Sequence, residues 1–140
     1  MAQWVLFAIA SAFFAGLTAV LAKAGVETVD SNLATLIRTA VILVFAAGIV
    51  LATRAWQSPG VLAPRTLILL VLSGLATGAS WLCYFRALQL GQASRVAPID
   101  KLGVVFAVVL AVVFLGEQVN ARLLAGLGLI VGGALLVAVS

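Results

Sequence analysis

Acidic side chains are scarce in this sequence and histidine is missing altogether: its 140 residues include four Asp or Glu, no His and one cysteine, Cys83. Without His or a second Cys, neither an internal disulfide nor a nitrogen or sulfur metal cluster can be built, and no cofactor is expected. Cys83 fits as a small apolar filler within a helix. No set of Ser, His and Asp and no paired carboxylates point to catalysis, so no enzyme activity is expected. Charge of both signs is low, at 9% of residues against roughly 25% in soluble domains. The eight Lys and Arg give a formal charge of +4, but they lie singly along the chain. No clustered cations are therefore available for the phosphate contacts of nucleic-acid binding.

Apolar side chains are abundant, making up 65% of the residues. A small soluble domain leaves a third or more of its chain surface in water, and there is too little polar material here to cover it. The expected medium is lipid. A helix needs roughly 20 apolar residues to cross a hydrocarbon core about 30 Å thick. Five windows meet that need: Gln3 to Lys23, Asn32 to Thr53, Thr66 to Leu90, Ala97 to Leu115 and Ala121 to Ser140. They lack the alternation of a membrane barrel, so the expected fold is an all-α bundle of five transmembrane helices, 1–140, in one domain without an internal repeat. Asp30, Ser31 and Asn32 can cap the second helix and Asn120 the fifth. Gly91 and Gly116 end the third and fourth, and Ser58, Pro59, Gly60 and Pro64 break the chain before the third. The N-terminal run is too long for a signal peptide and no Lys or Arg precedes it.

Five spans put the two ends on opposite sides. Arg54, Arg65 and Arg122 then lie on the face of the N-terminus, and Lys23, Arg86 and Arg95 on the other, with Arg38 and Lys101 deeper below the second. Orientation follows such asymmetry in short loops, and here there is almost none. One reading is insertion in both directions, as an antiparallel dimer requires; the other is that something else sets the orientation.

Several side chains are candidates for function. In the fifth helix Ala121, Ala125, Gly128 and Gly132 form a stripe of small residues, so Ala125, Gly128 and Gly132 are expected to pack against another helix, of this chain or of a second copy. The third helix carries Ser73, Thr77, Ser80 and Tyr84 on one face with Trp81 beside it, and the first carries Trp4, Ser11 and Thr18. Such stripes suit a cavity for a small, partly apolar molecule, and a cationic one fits over Trp81 or Tyr84. The plainer reading is that the hydroxyls bond their own helix carbonyls and the aromatics sit at the lipid boundary.

Charge within a span is costly, about 2.5 to 3.5 kcal/mol on insertion scales. Arg38 lies roughly 9 Å inside the second helix at about 1.5 Å per residue, and its stem is long enough to snorkel. Asp100 has no such stem. With Pro98 opening the fourth helix, Asp100 falls in its first turn, complementing the positive helix end, on a face shared with Gly103, Ala107 and Ala111. Alternatively Asp100 pairs with Arg38 or Lys101 in a transport path and exchanges a proton or a cationic substrate. Lys101 lies about 100° around the helix, above Val105, Val108 and Val112, an apolar face over which a lysine can snorkel.

Ala97, Pro98, Ile99, Asp100, Lys101 and Leu102 read APIDKL, and Leu115, Gly116 and Glu117 follow. From Arg86 to Val137 the chain resembles the second half of an EamA domain of the drug/metabolite transporter superfamily, in its short five-helix bacterial and archaeal branch. Lys23 and Arg38 also fall where EamA domains tend to carry a Lys and an Arg. The resemblance implies a carrier of the bacterial inner membrane, half of a ten-helix inverted-repeat transporter, acting on a small-molecule substrate. By the same resemblance, helices one to four surround the substrate and the fifth lies at a homodimer interface. Related small multidrug resistance proteins use a glutamate in helix one; none stands between Met1 and Lys23 here, so that residue's role does not transfer. Ten-helix relatives hold two halves in opposite orientations, and an inverted second copy would restore that arrangement. Two rivals remain: a flippase or flippase subunit for a lipid-linked molecule, and a non-transporting assembly subunit.

Overall fold

Capping chemistry sets the helix ends in the computed structural model, which describes residues 3–139. Helix α1 (Gln3–Gly25) is an uninterrupted apolar run with Lys23 in its last turn, where a cation complements the helix dipole. Helix α2 (Ser31–Ala52) starts where Asp30 Oδ1 accepts from the backbone N–H groups of Asn32 at 2.8 Å and Leu33 at 3.3 Å. Those two donors would otherwise be unpaired in the first turn. At its other end Arg54 takes a left-handed φ of 53°. Arg54 N–H donates to Leu51 and Ala55 N–H to Val50, the paired bonds of a Schellman turn.

A short 3-10 turn over Pro59–Val61 leads to helix α3 (Pro64–Leu90), whose first residue is a proline, where the missing N–H breaks no bond. Asn120 Oδ1 accepts from Leu123 N–H at 2.9 Å and opens helix α6 (Ala121–Val139). Ser140, expected at the end of that helix, lies outside the described residues. These four helices fall within two residues of the expected windows at every described end.

The fourth span differs from expectation. Instead of one helix from Ala97 with Pro98 in its opening turn, helix α4 runs over Ala93–Asp100 and helix α5 over Gly103–Leu110, followed by a π turn at Ala111–Leu115. The physical reason for the break is proline chemistry. Pro98 lies inside α4, has no N–H for the carbonyl of Ser94 four residues back, and crowds that carbonyl with its ring. Beyond it the backbone tightens to three-residue bonds: Lys101 N–H to Pro98, Leu102 to Ile99, Val104 to Lys101 and Val105 to Leu102, at 2.9 to 3.1 Å. Asp100 is thus the last residue of a short helix, and the first-turn account of it fails. Gly116, with φ of 69°, closes the π turn as expected of a glycine in the left-handed region.

The chain forms two compact units. One, Ala24–Gln89, holds α2 and nearly all of α3. Its core lies at the loop end, where Val26, Ser31, Thr35, Phe85 and Leu88 are buried. Gln89 Nε2 donates to the carbonyls of Val29 at 2.7 Å and Val26 at 3.2 Å, tying α3 to the turn before α2. The other unit, Met1–Lys23 with Leu90–Ser140, holds most of α1 and all of α4, α5 and α6. Within it α4 packs on α6, and Ala19 and Ala134 are buried.

Five helical stretches among the described residues are long and apolar enough to cross a membrane: α1, α2, α3, α4 through the π turn, and α6. Among the described residues there is no strand. Their side chains face outward, with Phe7 at 78% and Leu129 at 78% exposure. Apolar side chains turned outward along every span fit a hydrocarbon medium, in which every backbone group must be paired within its own helix.

Candidate functional site

Helix periodicity brings Arg38 to an aromatic face. On α2, Ser31, Thr35 and Arg38 follow at spacings of four and three, and on α3 so do Trp81, Phe85 and Leu88, so each set lies on one side of its helix. The guanidinium carbon of Arg38 stands 4.4 Å from the centroid of the Trp81 ring and 5.4 Å from that of Phe85. Tyr84 meets Phe85 edge-on at 6.5 Å. Arg38, Trp81 and Tyr84 are half-buried and Phe85 is buried.

At about 1.5 Å per residue, Arg38 stands roughly 5 Å from the midpoint of α2 and Trp81 roughly 6 Å from that of α3. The guanidinium lies closer to Trp81 than to Phe85, the ring nearer the helix end, so it has not snorkelled toward the loop. A cation–π contact contributes about 0.5 to 2 kcal/mol, against about 2.5 to 3.5 kcal/mol for a charge at the helix centre. The aromatic face therefore offsets part of the penalty without a carboxylate. A cationic ligand on the same face of Trp81 would have to displace Arg38.

The neighbouring hydroxyls are occupied on their own helices. Thr77 Oγ1 donates to the Ser73 carbonyl at 2.9 Å, Thr35 Oγ1 to Ser31 at 2.8 Å and Thr39 Oγ1 to Thr35 at 2.8 Å. The hydroxyl of Thr77 is thus engaged within α3, as the plainer sequence reading has it.

In the other unit Asp100 and Lys101 adjoin the break between α4 and α5. Lys101 Nζ lies 3.6 Å from Asp100 Oδ2, and both side chains are well exposed. This is the pairing expected of Asp100 with Lys101. The face shared with Gly103, Ala107 and Ala111 presumes a continuous helix, and the non-helical residues Lys101 and Leu102 interrupt it. Thr18 is half-buried on α1 beside buried Ala19.

Two hollows belong to the same unit. One, of about 520 Å³ at the start of α4, has Lys23, Gln92 and Arg95 in its wall. The other is an open groove of about 570 Å³ with Val105, Val108 and Val112 on one side and Leu124, Leu127 and Gly128 on the other. Ala125, Gly128 and Gly132 are exposed, and a Cβ added at Gly126, Gly128, Gly132 or Gly133 would meet no atom within 4 Å. Among the described residues no helix of the same unit packs closely on that stripe.

Phe85 and Gln89 were not anticipated. Phe85 looks like a lipid-facing residue in a run of apolar letters, yet it stands four residues after Trp81, which is the signal that it shares the same face. Gln89 carries no such mark, because its partners are carbonyls of a turn distant in the chain.

Comparison with known proteins follows the same lines. The chain matches the EamA-like transporter family over residues 2–139. It is 56% identical over 137 residues to a protein of Sinorhizobium sp described as an uncharacterized transporter in the cobO 3′ region, a match covering 98% of this chain and 97% of that one. No solved structure matches it.

Proposed function

Because this chain belongs to the EamA-like transporter family and is a multi-pass membrane transporter, we propose that it carries a small metabolite or drug-like molecule by alternating access. In this reading it works as a homodimer in the bacterial inner membrane and performs no chemical step. The observation that carries the proposal is Arg38 held over Trp81 and Phe85 near the middle of two apolar helices. A charge kept at that depth is costly, and polar groups inside spans mark substrate or ion pathways. Asp100 and Lys101, at a proline break within another span, supply the group assigned to coupling. Such breaks in carriers supply backbone and charge for ions and substrates.

Three features support a pair of copies. An odd number of spans leaves one chain without its inverted counterpart, the loop charges favour neither orientation, and the glycine stripe of α6 is open. The test is reconstitution of the purified chain alone in lipid vesicles, with uptake and counterflow measured over a metabolite panel. Flux without any other protein is expected; stoichiometric copurification with a partner and no flux would make it an assembly subunit. Reporters fused to both chain ends are expected to give mixed orientation in cells. Gly128→Leu with Gly132→Leu is expected to abolish cross-linking between copies through α6, and an unchanged yield removes that interface.

The second reading, a flippase for a lipid-linked molecule, is favoured by the open valine and leucine groove between α5 and α6. It predicts movement of an amphipathic lipid probe between leaflets that replacing Val108 with Asn slows.

A further inference from the structure

Among the described residues of its own unit, Arg38 has no ion pair within 4.0 Å and no side-chain hydrogen bond. Its own unit contains two acids, Glu27 and Asp30, both in the turn between α1 and α2, and the Asp30 carboxylate caps α2. The nitrogens of Arg38 are not sealed either, since no buried side-chain nitrogen or oxygen is left without a partner. They face accessible space.

The guanidinium carbon lies over the Trp81 ring, and the N–H groups keep accessible surface and make no side-chain hydrogen bond among the described residues. The planar fork of a guanidinium matches the two oxygens of a carboxylate. From this geometry we infer that the substrate is a small organic monocarboxylate, bound through its carboxylate to the N–H edge of Arg38, with its apolar part against the Trp81 and Tyr84 side of α3. The inference deepens the carrier reading and rests on it.

Charge sets the class. A monoanion on Arg38 gives a neutral complex, the form least penalised between apolar helices, whereas a dianion such as a phosphate monoester leaves one negative charge there. An amine meets the like charge of Arg38 on the Trp81 face. A neutral amide lacks the second acceptor oxygen that the fork requires.

The experiment uses thermal unfolding of the purified chain in detergent with acetate, hexanoate, benzoate and phenylacetate, each beside the amide and the amine of the same skeleton. At least one carboxylate is expected to raise the unfolding temperature while its amide and amine do not. Arg38→Gln is expected to weaken that carboxylate's apparent affinity at least tenfold. Arg38→Lys, which keeps the charge and loses the fork, is expected to weaken it severalfold and serves alone if the glutamine variant does not fold. No response to any carboxylate, an equal response to amide or amine, or an undiminished response in either variant overturns the inference. Flux of the same compounds separates the two claims. Carboxylate binding without flux would sink the carrier reading and leave this site standing, while amine flux indifferent to Arg38→Gln would do the reverse.

Discussion

Arg38 in the α2 and α3 unit and Asp100 with Lys101 in the α4 to α6 unit face one physical problem, a formal charge within an apolar span, and meet it differently. Arg38 sits in an unbroken helix and lies over two aromatic rings, which attract a cation through their faces and supply no negative charge. Asp100 and Lys101 are adjacent in the chain at a break made by Pro98, and they neutralise each other across 3.6 Å. The first arrangement leaves a net positive charge on the aromatic face, whereas the second is neutral and exposed.

The comparison breaks most readily at Phe85. It is 2% exposed and forms both the core of its unit and the second ring beneath Arg38, so Phe85→Ala is expected to cost about 3 to 5 kcal/mol, read as a lower unfolding midpoint in detergent. Trp81→Leu leaves a smaller apolar side chain and removes the nearer ring. A loss of about 2 kcal/mol is expected, together with loss of the carboxylate response, and an unchanged midpoint would mean that the ring does not stabilise Arg38. Pro98→Ala restores one donor to the carbonyl of Ser94. The added hydrogen bond, of about 1 kcal/mol, is expected to show as slower amide exchange at residues 99 to 102. Asp100→Asn has the smallest effect on stability, below about 1 kcal/mol for a pair this exposed. Its expected effect is on flux, which should fall, and normal transport by this variant removes Asp100 from the coupling step.

Much of the fold was legible because helix ends are decided locally. Asp30, Asn120, Gly91 and Gly116 act within a few residues of their own positions, and lipid demands long apolar runs whatever surrounds them. The error at the fourth span came from a rule with two outcomes. Proline suits a helix's first turn or breaks its interior, and the choice lay with Gly91 and Gln92, where the chain bends early enough to start α4 at Ala93. Of the site, Arg38 and Trp81 were each visible as unusual letters in apolar helices. Their meeting was not, because helical periodicity describes one helix and carries no register between two.

By itself the sequence determined the medium, the number of spans and the helix caps, since each depends on composition or on neighbours a turn away. Tertiary structure alone decided that Arg38 rests on Trp81 and Phe85, that Gln89 ties α3 to Val26 and Val29, and that the glycines of α6 stay open. Contacts between residues some forty to sixty positions apart depend on how helices rotate and approach, and in lipid that is set by side-chain packing and hydrogen bonds instead of by apolar patterning.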